Sequence, residues 1–168
     1  AYGIRAYYYF HLYRTYGRVP IVTEPLVAIS TPNSAADAYK PRTETEKETL
    51  DFIKAEIDKS TQYFGADYTI KQQKGQWSLP ATQMLKAEVY LWSAKVDIDG
   101  AAPTNTDQDL QLAKAAVEAI IPKFSLQSSF INVFNSASVP ANLGNNEIIF
   151  ARRYLAGEAA NGLFSNFI

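Results

Sequence analysis

Apolar residues recur along this chain at the 3.6-residue period of helices in four separate places. Between residues 2 and 16, Tyr2, Tyr9, Tyr13 and Tyr16 fall on one stripe, and Ala6, Phe10 and the neighbouring tyrosines widen it until the segment is apolar nearly all round. Gly17 and Pro20 end it. In the second segment Thr43 and Glu46 read as a capping box, and Leu50, Ile53, Ile57 and Phe64 share one face. Its charged pairs, Glu44/Lys47, Asp51/Lys54 and Glu56/Lys59, read as the solvated opposite face, and Gly65 closes it. Ser78 and Pro80 start a third helix with two apolar stripes, Leu85, Val89, Trp92, Val96 and Met84, Ala87, Leu91, Ala94, which predicts burial on two sides. Thr106 and Asp109 read as the cap of a fourth, whose Leu110, Ala113, Val117 and Ile120 make a single stripe up to Pro122.

The stretches between these helices are polar and punctuated. TEPLVAISTPNSAADAYKP carries three prolines and reads as a long surface loop, and GADYTIKQQKGQW reads as a second loop holding Tyr68 and Trp77. In NEIIFARRY, Ile148 and Phe150 alternate with Ile149 and Ala151 as in a short strand. The third and fourth helices, with small residues at their crossing, form an antiparallel pair of the size of a tetratricopeptide unit, although the repeat signature is degenerate. The fold class expected is therefore mainly α, a tetratricopeptide-like helical scaffold with long loops and a short strand near the C-terminus. Residues 1–168 read as one segment of a longer protein, since AYGIRAYYYF has neither an initiator Met nor a signal sequence and NGLFSNFI is an apolar ending.

Composition narrows the chemistry. A net charge of −1 offers no general attraction for nucleic acid. With no cysteine there is no thiol nucleophile and no thiolate metal site, and the single histidine, His11, lacks the partners of a metal site or triad. Its neighbours suggest a structural or hydrogen-bonded role. Asp97 and Asp99 before Gly100 suggest a calcium loop, but the glycine comes too early and Gln108 stands where the bidentate glutamate is needed. No nucleophile elbow, phosphate-cradling glycine loop or HExxH motif occurs, so neither an enzyme nor a cofactor is expected.

The order of segments carries a resemblance. GIRAYYYFHLYRTYGRVPIVTEP, PRTETEKETLDFIKAEIDKSTQYF, a polar loop leading to LPATQMLKAEVYLWSAK, and then FSLQSSFINVF and NNEIIFARR resemble the SusD/RagB family along essentially the whole chain. The resemblance implies a middle portion of a lipid-anchored protein of the outer membrane that captures poly- or oligosaccharide or another nutrient at the cell surface. It further implies delivery to a SusC-like TonB-dependent transporter, with the anchor outside this segment. The rival on the same scaffold is a helical-repeat protein-interaction module without glycan binding, and the third class, a glycan-degrading enzyme, is disfavoured by the missing motifs.

The aromatic residues divide by location. The tyrosines between Tyr7 and Tyr16 are expected in the scaffold, their hydroxyls finding partners at its edges. Ligand-binding candidates are the aromatics in loops, Trp77, Tyr68 and Tyr39, whose flat apolar faces can meet the C–H side of a sugar ring. For Trp77, packing at the solvent edge of the scaffold is the competing role. Arg152 and Arg153 read as a solvated or ion-paired end to the expected strand.

Overall fold

In a computed structural model describing residues 1–24, 40–71, 74–134 and 147–151, each of the four apolar periodicities is a helix. These are α1 (Tyr2–Tyr16), α2 (Glu46–Phe64), α3 (Leu79–Ser93) and α4 (Thr106–Glu118), followed by a 3-10 turn at Ile121–Lys123 and a short helix α5 (Phe130–Phe134). The mainly α scaffold expected from the sequence is what forms. Gly17 and Gly65 end α1 and α2 with φ of 65° and 58°, a left-handed backbone that costs glycine little.

Neighbouring helices run antiparallel and stack in chain order. Arg5 near the start of α1 meets Glu56 late in α2, while Gly17 beyond the end of α1 lies against Glu46 at the start of α2. Ser60 pairs with Thr82 and Lys54 with Ser93, which sets α2 against α3 in the same sense. The Thr106 hydroxyl donates to the Ala94 carbonyl, and Ala87 and Tyr90 pack on Ala113 and Ala116, closing α3 on α4 through small side chains. The main core joins Ala6, Phe10 and Tyr13 of α1, Leu50, Ile53 and Ile57 of α2, and Leu85 and Val89 of α3.

Four details differ from the sequence reading. The capping box of α2 sits two residues later than expected: Thr45 Oγ1 accepts from the Glu48 amide at 3.1 Å, and Glu48 Oε2 reaches back to the Glu44 amide at 2.8 Å. Thr43 instead shares a hydroxyl contact of 2.7 Å with Thr49. At α4 the cap residue is Asn105, which makes no side-chain cap bond, and Asp109 turns inward because it continues the buried stripe of Ala113 and Ala116. The expected strand does not form among the described residues. Residues 147–151 form a turn and a bend without regular structure, tied by a bond from the Ala151 amide to the Lys74 carbonyl, and Arg152 and Arg153 lie outside the described residues.

The fourth difference concerns Glu56, read as part of the solvated face and found fully buried. A buried carboxylate needs partners. Arg5 supplies Nε at 2.7 Å and a second guanidinium nitrogen at 2.5 Å, and Lys59 supplies Nζ at 3.0 Å. Tyr2 then lies beneath both cations, 5.4 Å from the Arg5 guanidinium and 5.8 Å from the Lys59 ammonium. The helical period places position 56 beside the apolar stripe, so charge alone misplaced it.

Two measurements follow from this packing. Glu56→Ala removes the buried acceptor of Arg5, whose guanidinium keeps some access to water, and is expected to cost about 1–3 kcal/mol in urea unfolding; a loss within error of zero would show that the pair carries no stability. Burial, and secondarily the nearby Glu46 carboxylate, raises the Tyr13 phenol, while burial and then Asp58 raise Tyr90. A raised folded pKa means that stability is complete below the ordinary tyrosine value near 10 and drains as pH climbs through the folded values. The unfolding midpoint should therefore fall above pH ~10, and Tyr13→Phe should flatten that fall.

Candidate functional site

Trp77 is held by the start of α3. The Ser78 hydroxyl accepts from the Ala81 amide, and Pro80 occupies the first helical turn, so the residue just before the helix has a fixed direction. The Trp77 indole donates to Thr82 Oγ1 at 2.8 Å. Thr82 spends its own proton on the Ser78 carbonyl at 3.1 Å, so Ser60, at 2.9 Å, is the donor in the remaining contact. The ring packs at 5.7 Å from Tyr7 and edge-on at 5.1 Å from Phe150, and Gly3 passes so close that a Cβ there would lie 2.0 Å from the indole nitrogen.

Half-buried, Trp77 lines one wall of a cleft of about 560 Å³ with Tyr7, Met84, Leu91, Ile149 and Phe150. Its walls are mostly apolar, with two carboxylates at the rim. Glu88 holds Arg14 at 2.7 Å, and Glu147 accepts from the Gln127 amide at 2.8 Å. Such a surface can take the apolar side of a ring or chain and offers acceptors for hydroxyl groups.

Tyr68 is placed elsewhere. It is half-buried, and Lys123 sets its ammonium 4.2 Å from the ring centroid, so one face of the ring already carries a cation. The contacts of Trp77 and Tyr68 have no residue in common. Tyr39 lies outside the described residues. His11 is exposed at the surface, hydrogen-bonded to Arg14 at 3.0 Å and edge-on to Tyr7, which is the hydrogen-bonded role expected of it.

A second cleft of about 380 Å³, lined by both charged and apolar side chains, opens between α2 and the loop joining α3 to α4. Lys54, read as part of a solvated face, reaches into it, donating to Ser93 Oγ at 2.8 Å and Asp109 Oδ2 at 3.3 Å and lying 4.6 Å from the Tyr90 ring centroid. Its signal was the inward register of Asp109, four and seven residues before Ala113 and Ala116. On its rim, Asp99 accepts from the Glu46 and Lys47 amides at 2.7 and 3.1 Å, while its own amide donates to Glu46 Oε2 at 3.1 Å. The acid that suggested a calcium loop thus caps a helix 53 residues away. Among the described residues no cluster of acids and histidines could hold a metal ion, and no helix is long and apolar enough to cross a membrane.

Comparison with solved structures places this architecture among known proteins. The chain is similar to a SusD superfamily protein from Bacteroides fragilis, with 38% identity and a TM-score of 0.77 over 96% of this chain and 30% of that one. NanU of B. fragilis matches at 35% identity and a TM-score of 0.70, covering 93% of this chain and 28% of NanU. A SusD superfamily protein from Bacteroides vulgatus matches at 32% identity and a TM-score of 0.67, covering 89% and 27%. The chain thus spans about 30% or less of the length of these relatives. No family model and no curated protein matches it.

The close approach of α1 to Trp77 is directly testable. Gly3→Ala must push the indole off Thr82 and is expected to cost about 1–3 kcal/mol, with a shift in tryptophan emission. Unchanged stability and emission would show that the ring is not wedged against α1.

Proposed function

We propose that this chain, which belongs to the SusD superfamily, is part of a surface protein that captures a poly- or oligosaccharide or related nutrient without transforming it. The observation that carries this reading is the likeness to SusD superfamily proteins along nearly the whole chain, at identities well above those that support a shared fold alone. The full-length protein is lipid-anchored in the outer membrane and hands its ligand to a SusC-like TonB-dependent transporter. A modest site suffices for that task, because holding a long polymer at the transporter mouth replaces tight binding with a high effective concentration.

In this reading Trp77 contributes its cleft-facing edge to the ligand, and Tyr68 and Tyr39 are further contacts in loops. The apolar cleft supports a contact role for Trp77: Tyr7, Trp77 and Phe150 line it beside aliphatic side chains, and Glu88 and Glu147 offer acceptors for ring hydroxyls.

Affinity electrophoresis of the full-length protein against a polysaccharide panel, with a parallel assay for released reducing ends, tests the proposal. Retardation by at least one polysaccharide without release is expected. Trp77→Phe, which keeps an aromatic ring beside Tyr7, is expected to weaken that retardation about tenfold, equivalent to ~1.4 kcal/mol. Release of reducing ends would make the protein an enzyme, and binding of the transporter with no retardation would make the stack an interaction module.

A further inference from the structure

The cleft beside Trp77 is one-sided in its charge. Among the described residues its lining holds two carboxylates, Glu88 and Glu147, and no lysine, arginine or histidine. The rest of the wall, from Ala81, Met84 and Leu91 to Ile149 and Phe150, is apolar. A group brought against such a wall loses water and meets fixed charges with little screening, so their sign counts for more here than on an open surface.

The cation that meets this rim is already committed. Arg14 sets one guanidinium nitrogen 2.7 Å from Glu88 and another 3.0 Å from His11 Nδ1, and the group lies 4.6 Å from the Phe10 ring centroid and 6.0 Å from that of Trp92. It is not part of the cleft lining, and neither is Lys123, which lies over Tyr68. Glu147 receives the Gln127 amide at 2.8 Å, a donor without charge. The hydrogen-bonding character of the lining is equally lopsided. Ionised carboxylates accept and never donate, and the Trp77 indole has spent its proton on Thr82. Among the lining side chains, that leaves the neutral Tyr7 hydroxyl as a donor.

We infer that the Trp77 cleft takes an uncharged sugar chain, held by hydroxyl groups that donate to Glu88 and Glu147, and turns away acidic chains built of uronates or sulfated sugars. The inference rests on the reading of this cleft as the capture site and names the ligand class within it. A sugar hydroxyl donating to a carboxylate makes a charge-assisted bond. An acidic sugar instead sets acceptor against acceptor and like charge against like charge, beside a wall that screens neither.

Titration calorimetry of the full-length protein with one polysaccharide in two forms tests the inference. The probe is a neutral polysaccharide whose retardation of the protein is weakened by Trp77→Phe, used as it is and after oxidation of its primary hydroxyls to uronates. Oxidation is expected to weaken binding roughly tenfold at about 50 mM NaCl, and by less at about 500 mM, where salt screens the repulsion. Equal or tighter binding of the oxidised form would overturn the inference. Glu88→Gln combined with Glu147→Gln removes both charges yet keeps an oxygen for Arg14 and one for the Gln127 amide, and is expected to cut the discrimination about threefold. Undiminished discrimination would place the choice elsewhere on the protein and also overturn it. If every polymer with Trp77-dependent retardation is acidic, the inference falls and the capture reading stands; if no polymer retards the protein, the capture reading falls and takes the inference with it.

Discussion

Burial of Leu50, Ile53 and Ile57 between two neighbours is the contact on which the other helices depend. α1, α3 and α4 have 15, 15 and 13 residues, close to the length below which isolated helices are marginal in water. α2 meets α1 on one side and α3 on the other, so its single apolar face closes both halves of the main core. α4 packs on α3 by way of small residues that let the two backbones approach, and reaches α2 through the Lys54–Asp109 pair. The polar interactions follow this arrangement. Glu56, Ser60 and Lys54 all lie on α2, and each is satisfied by a group from an adjoining helix.

The helices were legible because each combines a long apolar period with a punctuating residue. Gly17, Gly65 and Ser78 stand at boundaries where the sequence places them. Their polar ends were less legible. Thr43 with Glu46 and Thr45 with Glu48 both fit the capping-box pattern, and a spacing rule cannot choose between two registers that differ by two residues. Thr106 with Asp109 also fits, but tertiary packing draws Asp109 inward to Lys54. Glu56 and Lys54 were misread for one reason: charge argues for solvent only where no opposite charge waits across the interface, and Arg5 and Asp109 are 51 and 55 residues away in sequence.

The candidate site shows the same division. Loop position singled out Trp77, and the cleft beside it is real, yet much of the ring serves the scaffold through Thr82, Tyr7 and Gly3. A residue fixed on several sides makes a rigid platform on its free edge, and rigidity lowers the entropy lost when a ligand docks. Packing and binding are therefore compatible for Trp77, whereas Tyr68 has already engaged one face with Lys123. The cleft around Lys54 was legible only in the inward register of Asp109, because its members come from α2, the loop after α3 and the start of α4 and meet only in the folded chain.

A stack built from sequential neighbours ordinarily has loosely coupled ends, since each unit touches only the next and can fray alone. The loop between α3 and α4 removes that freedom. Asp99 reaches past α3 to the first amides of α2, and Glu46 returns the bond to the Asp99 backbone. Peeling the last two helices away would strip the Asp99 bonds from the start of the central one. The clasp thus closes a topological circuit over an otherwise linear array, tying the first turn of α2 to the far end of α3.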